Sequence, residues 1–145
     1  MRIVRETARE VLRALRCRGD QLSILLTSDP EIRGLNRRYR SVDAATDVLS
    51  FPSGPGRPRA GHLGDVVISV DSASRYARQA GWSLREEVQF LVVHGVLHLL
   101  GYDHLRDRGA MNRIQSRVAR RILGRAIPML RLTGGRPLRR RGGHP

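Results

Sequence analysis

Three of the five histidines in this 145-residue chain fall inside one stretch of eleven residues, His94-Gly95-Val96-Leu97-His98-Leu99-Leu100-Gly101-Tyr102-Asp103-His104. His94 and His98 are four apart, so on a helix they stand on one face, one turn apart. Gly101 can adopt the left-handed conformation that ends a helix, which lets the chain turn back and bring His104 beside the first two. Three imidazoles converging from a helix and the turn after it can hold one ion and leave a coordination position open. That is the layout of a catalytic zinc site rather than a closed structural one. For the pair alone, ligands and hydrogen-bonded core histidines are equal readings. The third histidine, just past a helix-ending glycine, tips the balance to a metal. Cysteine takes no part. Cys17 is the only one, which excludes an intramolecular disulfide and suits a reducing, cytosolic compartment.

The helix that must carry the pair runs from Leu84 to Leu100. Ser83 and Glu86, three residues on, form a capping box at its start. From Val88 onward it is apolar almost all round, so it is buried. A buried helix with two imidazoles has to satisfy them, and a metal does so. Upstream, Arg5–Arg16 reads as an amphipathic helix with Ala8, Val11, Leu12 and Leu15 on one face. Gln21–Thr27 reads as a buried strand. Ser28 or Asp29 caps a helix with Pro30 in its first turn, running to about Tyr39, with Ile32, Leu35 and Tyr39 facing inward. Thr46–Phe51 and Leu63–Val70 are strands around a Gly/Pro-rich loop, Ser53–Gly61, compatible with antiparallel pairing. Asp71 or Ser72 caps a helix through Ala80. A last helix, about Arg108–Leu123, packs through Met111, Ile114, Val118 and Ile122. The expected fold is α/β (α+β): one domain over residues 1–132, with a small mixed sheet of three to four strands, about five covering helices and the metal helix at the centre. Residues 133–145 read as a disordered basic tail.

The net charge is +14, and its placement matters more than its size. Residues 1–105 carry 15 Arg against 12 acids, or +3, whereas residues 106–145 carry 12 Arg against one acid, or +11. All the basic residues are arginine, as a GC-rich genome also produces. The excess at one end is independent of that and points to a polyanion, most simply nucleic acid. Arg37, Arg38, Arg57 and Arg59 are candidate phosphate contacts, or equally solvated surface charges. No signal peptide is expected at the start. Val88–Leu100 is too short to cross a bilayer, which takes ~20 apolar residues, so no membrane partner is expected.

The spacing His-x3-His-x5-His is shared with zinc proteases of the pattern His-Glu-x-x-His-x-x-Gly-x-x-His. Here Gly101 matches the glycine, but Gly95 stands where the general-base glutamate belongs, which argues against proteolysis. The chain closely resembles the YbeY family of metal-dependent bacterial endoribonucleases, or rRNA maturation factors. The resemblance is carried by the histidine motif, by Asn36-Arg-Arg-Tyr-Arg40, by Asp43-Ala-Ala-Thr-Asp-Val-Leu-Ser-Phe-Pro52 and by Leu63-Gly-Asp-Val-Val-Ile-Ser69, in the family's order. It implies a mixed α/β fold, one Zn2+ or similar divalent ion held by His94, His98 and His104, and Arg40 as a functional arginine. It further implies cleavage of single-stranded RNA in the cytoplasm, in small-subunit rRNA 3′-end maturation and ribosome quality control. The small ribosomal subunit and assembly factors would be partners, and no oligomeric state follows. Three departures are visible. Only Met1–Val4 is available for the family's first strand. Asn-Arg-Ile-Gln-Ser follows Met111 where the family tends to Gln-Glu. The basic tail also extends beyond the usual end.

The chemistry expected is metal-assisted phosphodiester cleavage, with Arg40 offsetting charge on the pentacoordinate phosphorus. On the residues alone, a salt bridge from Arg40 to Asp43 or Asp47 is the simpler reading; the resemblance reverses it. Asp103 either orients a ligand imidazole or caps the turn. Tyr102 and Phe51 read as core before base-stacking residues. His62 reads as surface and His144 as part of the tail. Two competing classes are an RNA-binding assembly factor whose metal only stabilises the fold and a degenerate peptidase.

Overall fold

The computed structural model describes residues 2–17, 20–53, 61–102, 109–125 and 127. In chain order these form α1 (Arg2–Ala14), β1 (Gln21–Thr27), α2 (Asp29–Arg40), β2 (Val48–Pro52), β3 (His62–Ser69), α3 (Val70–Ala80), α4 (Leu84–Leu99) and α5 (Ala110–Leu123). This is the expected α+β fold of five helices on a small mixed sheet. Residues 2–4 are the first turn of α1, and Val4 is buried in the core, so they do not form a strand. Arg57, Arg59, Asp103, His104 and the tail 133–145 lie outside the described residues. No helix among the described residues is long and apolar enough to cross a membrane.

The sheet order is β1-β3-β2, with β1 parallel and β2 antiparallel to β3. The antiparallel β2–β3 pairing matches the sequence reading. The buried-strand reading of β1 is corrected, because β3 takes the centre and β1 lies at an edge with Leu25 48% exposed. Alternate residues Leu22, Ile24 and Leu26 pack on the main core, so only one face of β1 is covered. That core joins Val66 and Ile68 of β3 to Val92, Val93 and Val96 of α4, with α1 and α5 completing it. On the opposite face of the sheet, Ile32 of α2 packs with Leu49 and Val67. Tyr39 was expected to share that inner face. It points outward instead, 57% exposed, with its ring edge-on to Phe51 at 5.5 Å.

Ser69 caps α3, not Asp71 or Ser72. Its hydroxyl accepts from the Ser72 amide and donates to Asp29 at 2.6 Å, so β3 passes straight into the helix. Ser28 holds the N-cap place of α2 without a side-chain cap bond. The same Asp29 carboxylate accepts from Ser72 Oγ and pairs with Arg75 at 2.8 Å, tying the starts of α2 and α3 together. Burial pushes the Asp29 carboxyl up, but the two hydroxyls and the Arg75 guanidinium outweigh it and hold the group below its ordinary range.

Candidate metal centre

α4 starts on the expected capping box, with Ser83 Oγ accepting from the Glu86 amide and Glu86 Oε1 accepting from the Ser83 amide. Fully buried Glu87 accepts from the Trp82 indole N–H at 2.9 Å, so the first turn is anchored from the core side as well. Every residue from Glu87 to Leu99 is buried except His94 and His98. The two imidazoles therefore occupy the solvent-reachable points of a run otherwise enclosed by protein.

Their rings stand 65° apart with centroids 4.6 Å apart, and the two Nε2 atoms are separated by 3.1 Å. Two nitrogens each ~2.0–2.1 Å from one tetrahedral ion lie about 3.3 Å apart. The spacing thus fits two ligands of one shared ion, each ring giving one nitrogen. His94 Nδ1 lies 2.7 Å from Oε1 of Gln115, a buried residue of α5. An amide oxygen only accepts, so in a neutral ring this contact calls for the proton on Nδ1 and a lone pair on Nε2. Among the described residues, no group of three or more His, Cys, Asp or Glu could hold an ion; His104 is not among them.

The helix ends as the sequence implies. Gly101 is left-handed at φ 98° and donates to the His98 carbonyl at 3.0 Å, while the Tyr102 amide donates to the Leu97 carbonyl at 3.1 Å. This pair of bonds is a Schellman closure, and it reverses the chain directly after His98. Tyr102 packs against the main core, as expected.

Gly95 lies where α4 presses on the sheet. A Cβ there would sit 2.7 Å from Val66 Cγ1 and 3.3 Å from Ser50 Oγ. A glutamate in this position would point into the sheet, away from the imidazoles, so the peptidase's base has no place here. Ser50 Oγ donates to the Gly95 carbonyl at 3.1 Å, and the Arg40 guanidinium donates to the Ser50 carbonyl. Arg40 also lies over the Phe51 ring at 5.5 Å. Arg40 and the α4 backbone at Gly95 are therefore joined through Ser50.

The alternative partner Asp43 is taken by Arg33, in a two-pronged contact of 2.8 and 3.2 Å. That contact holds the Asp43 carboxyl below its ordinary range. Arg37 and Arg38 are exposed in the last turn of α2, with Arg38 over the Tyr39 ring at 5.3 Å. Cations there also favour the negative end of the helix dipole. Phe51 is half-buried, and His62 is exposed.

The model of the family described as Endoribonuclease YbeY matches residues 1–123. This chain belongs to that family. A protein named Endoribonuclease YbeY from Koribacter versatilis is 53% identical over 96 residues, which span 66% of this chain and 60% of that one. One of the same name from Aquifex aeolicus is 52% identical over 101 residues, 70% of this chain and 67% of that one. The Pelotomaculum thermopropionicum protein so named is 46% identical over 129 residues, 85% of this chain and 84% of that one. The solution structure of a Thermotoga maritima protein superposes with TM-score 0.61 at 29% identity, covering 83% of this chain and 79% of that one. The YbeY match takes in the histidine stretch and Arg40 together.

Gln115 was missed in the sequence. The buried positions of α5 are Met111, Gln115, Val118 and Ala119, and the expected Ile114 and Ile122 are half-buried at the margin. The available signal was a glutamine four residues after Met111 and three before Val118, on the core-facing phase of the helix.

Proposed function

We propose that this chain is a metal-dependent endoribonuclease that cleaves single-stranded RNA, in the cytoplasm, during small-subunit rRNA 3′-end maturation and ribosome quality control. Its partners on this reading are the small ribosomal subunit and assembly factors. The observation that carries the reading is the 3.1 Å approach of the His94 and His98 Nε2 atoms at the two open points of a buried helix. The names of the relatives support the RNA substrate, and the arginine-only basic surface suits a polyanion.

His94, His98 and His104 would hold one Zn2+ or similar divalent ion. When bound, such an ion supplies Lewis acidity at a phosphoryl oxygen and at an attacking water. The chain's own residues do the rest. Gln115 sets the proton of His94 on Nδ1. Arg40, exposed and bonded to the Ser50 carbonyl, would offer guanidinium N–H donors to the phosphoryl oxygens as negative charge builds on them. Exposed Arg37 and Arg38 would contact phosphates of the RNA, and Arg57 and Arg59 are further candidate phosphate contacts. Asp103 would steady a ligand imidazole.

The test is metal content combined with cleavage of a labelled single-stranded RNA. The natural chain should hold one ion and cut. Chelation should abolish cutting, and adding Zn2+ back should restore it. His98→Ala should bind no ion and cut no RNA while keeping its helical spectrum. RNA cleavage that survives both chelation and His98→Ala would refute the proposal. Peptide hydrolysis without RNA cleavage would restore the peptidase reading.

A further inference from the structure

We infer that Gln115 is a positioning residue that locks His94 in the Nδ1–H tautomer, so that its Nε2 always presents a lone pair toward His98. This rests on the metal reading above and adds to it the group that prepares one of the ligands, His94, before any ion arrives. An unheld neutral imidazole exchanges its proton between Nδ1 and Nε2, and a proton on Nε2 blocks ligation. Two neighbouring histidines make that loss easy, because with Nε2 atoms 3.1 Å apart either ring can donate to the other. Gln115 Oε1, 2.7 Å from His94 Nδ1, decides the direction. His94 becomes the acceptor of the pair and His98 the donor through Nε2, so the one proton an arriving ion must displace is that of His98.

The grip is firm because Gln115 is buried and its neighbours on the same face of α5, Met111, Val118 and Ala119, are buried too. The amide cannot swing out to water without undocking the helix. It is also uncharged, so it orients the ring without placing a negative charge beside the ion. Partners of this kind change metal affinity by about 10–100-fold when removed.

The experiment reads the ring nitrogens of His94 by long-range 1H–15N correlation in the ion-free protein. It also measures Zn2+ affinity against a chromophoric chelator for the natural chain, Gln115→Met, Gln115→Glu and His98→Ala. The natural chain should show a protonated Nδ1 and a bare Nε2 at His94. Gln115→Met, close in volume but with no oxygen, should show mixed tautomers and Zn2+ affinity lower by about 10–100-fold. Gln115→Glu, which keeps the acceptor, should recover the natural tautomer and affinity. A proton on Nε2 in the natural chain would overturn the inference, as it would mean that the amide turns its NH2 to the ring. That measurement needs no variant to fold. Zinc binding lost in His98→Ala but unchanged in a folded Gln115→Met would overturn the role of Gln115 alone. Zinc binding unchanged in His98→Ala would overturn the metal reading with it.

Discussion

Replacing Gly95 by alanine sets helix propensity against packing, and the structure says which wins. In a helix interior, Gly→Ala gains about 1 kcal/mol. At Gly95 the new Cβ would meet Val66 Cγ1 at 2.7 Å and Cγ2 at 3.0 Å, both inside ordinary contact. Val66 is fully buried on the central strand and, being β-branched, has little rotamer freedom with which to yield. Overpacking of this kind costs about 1–3 kcal/mol, and a stiff neighbour on a central strand places this site at the upper end. The net is a loss of about 2 kcal/mol, or a midpoint lower by about 6 °C for a domain of this size.

Gly34 supplies the control. It lies in α2 with nothing within 4 Å of a new Cβ, so Gly34→Ala should gain the same propensity with no clash and raise the midpoint by about 3 °C. Both variants would be melted ion-free, because a bound ligand shifts the midpoint by mass action. A Gly95→Ala midpoint equal to or above the natural one would refute the tight helix–sheet contact. It would also remove the physical reason for glycine where zinc peptidases hold their base. Gly95→Glu adds a buried carboxylate to the same clash and should leave no folded chain rather than create a peptidase.

Arg40 is exposed, so Arg40→Ala should leave the melting midpoint nearly unchanged while lowering RNA cleavage by about 100-fold or more. Arg40→Lys should recover only part, lacking the forked donors; a substantial drop in stability with unchanged cleavage per folded molecule would make Arg40 structural. Asp29 has its pKa lowered from an ordinary value near 3.8 in the folded chain, so its contribution is complete above that value and is lost as pH falls through the lower, folded value. Urea midpoints between pH 2 and 6 should therefore fall less steeply at the acid end in Asp29→Asn, and an unchanged acid limb would contradict this. Deleting residues 133–145 removes four arginines and should reduce the slope of log affinity against log salt for single-stranded RNA by up to about 3, without altering the cleavage step. An unchanged slope would place the RNA contacts elsewhere.

What the sequence by itself determined is what local geometry controls. Four-residue spacing puts His94 and His98 on one face, Ser83 with Glu86 starts their helix, and Gly101 ends it; all three are present as read. Each depends on residues within a turn or two of one another, where backbone geometry leaves few choices. The antiparallel β2–β3 pairing is legible for the same reason, from a loop between adjacent strands. Only the tertiary structure decided that β1 lies at an edge, because that depends on β3 pairing with it across the intervening α2 and β2. It also decided that Tyr39 turns outward onto Phe51, that Ser50 joins Arg40 to the Gly95 carbonyl 45 residues away, and that Gln115 reaches His94 from 21 residues downstream. A polar side chain on a core face announces that it needs a partner. Which partner it finds is set by how helices and sheet dock, and no periodicity along the chain encodes that choice.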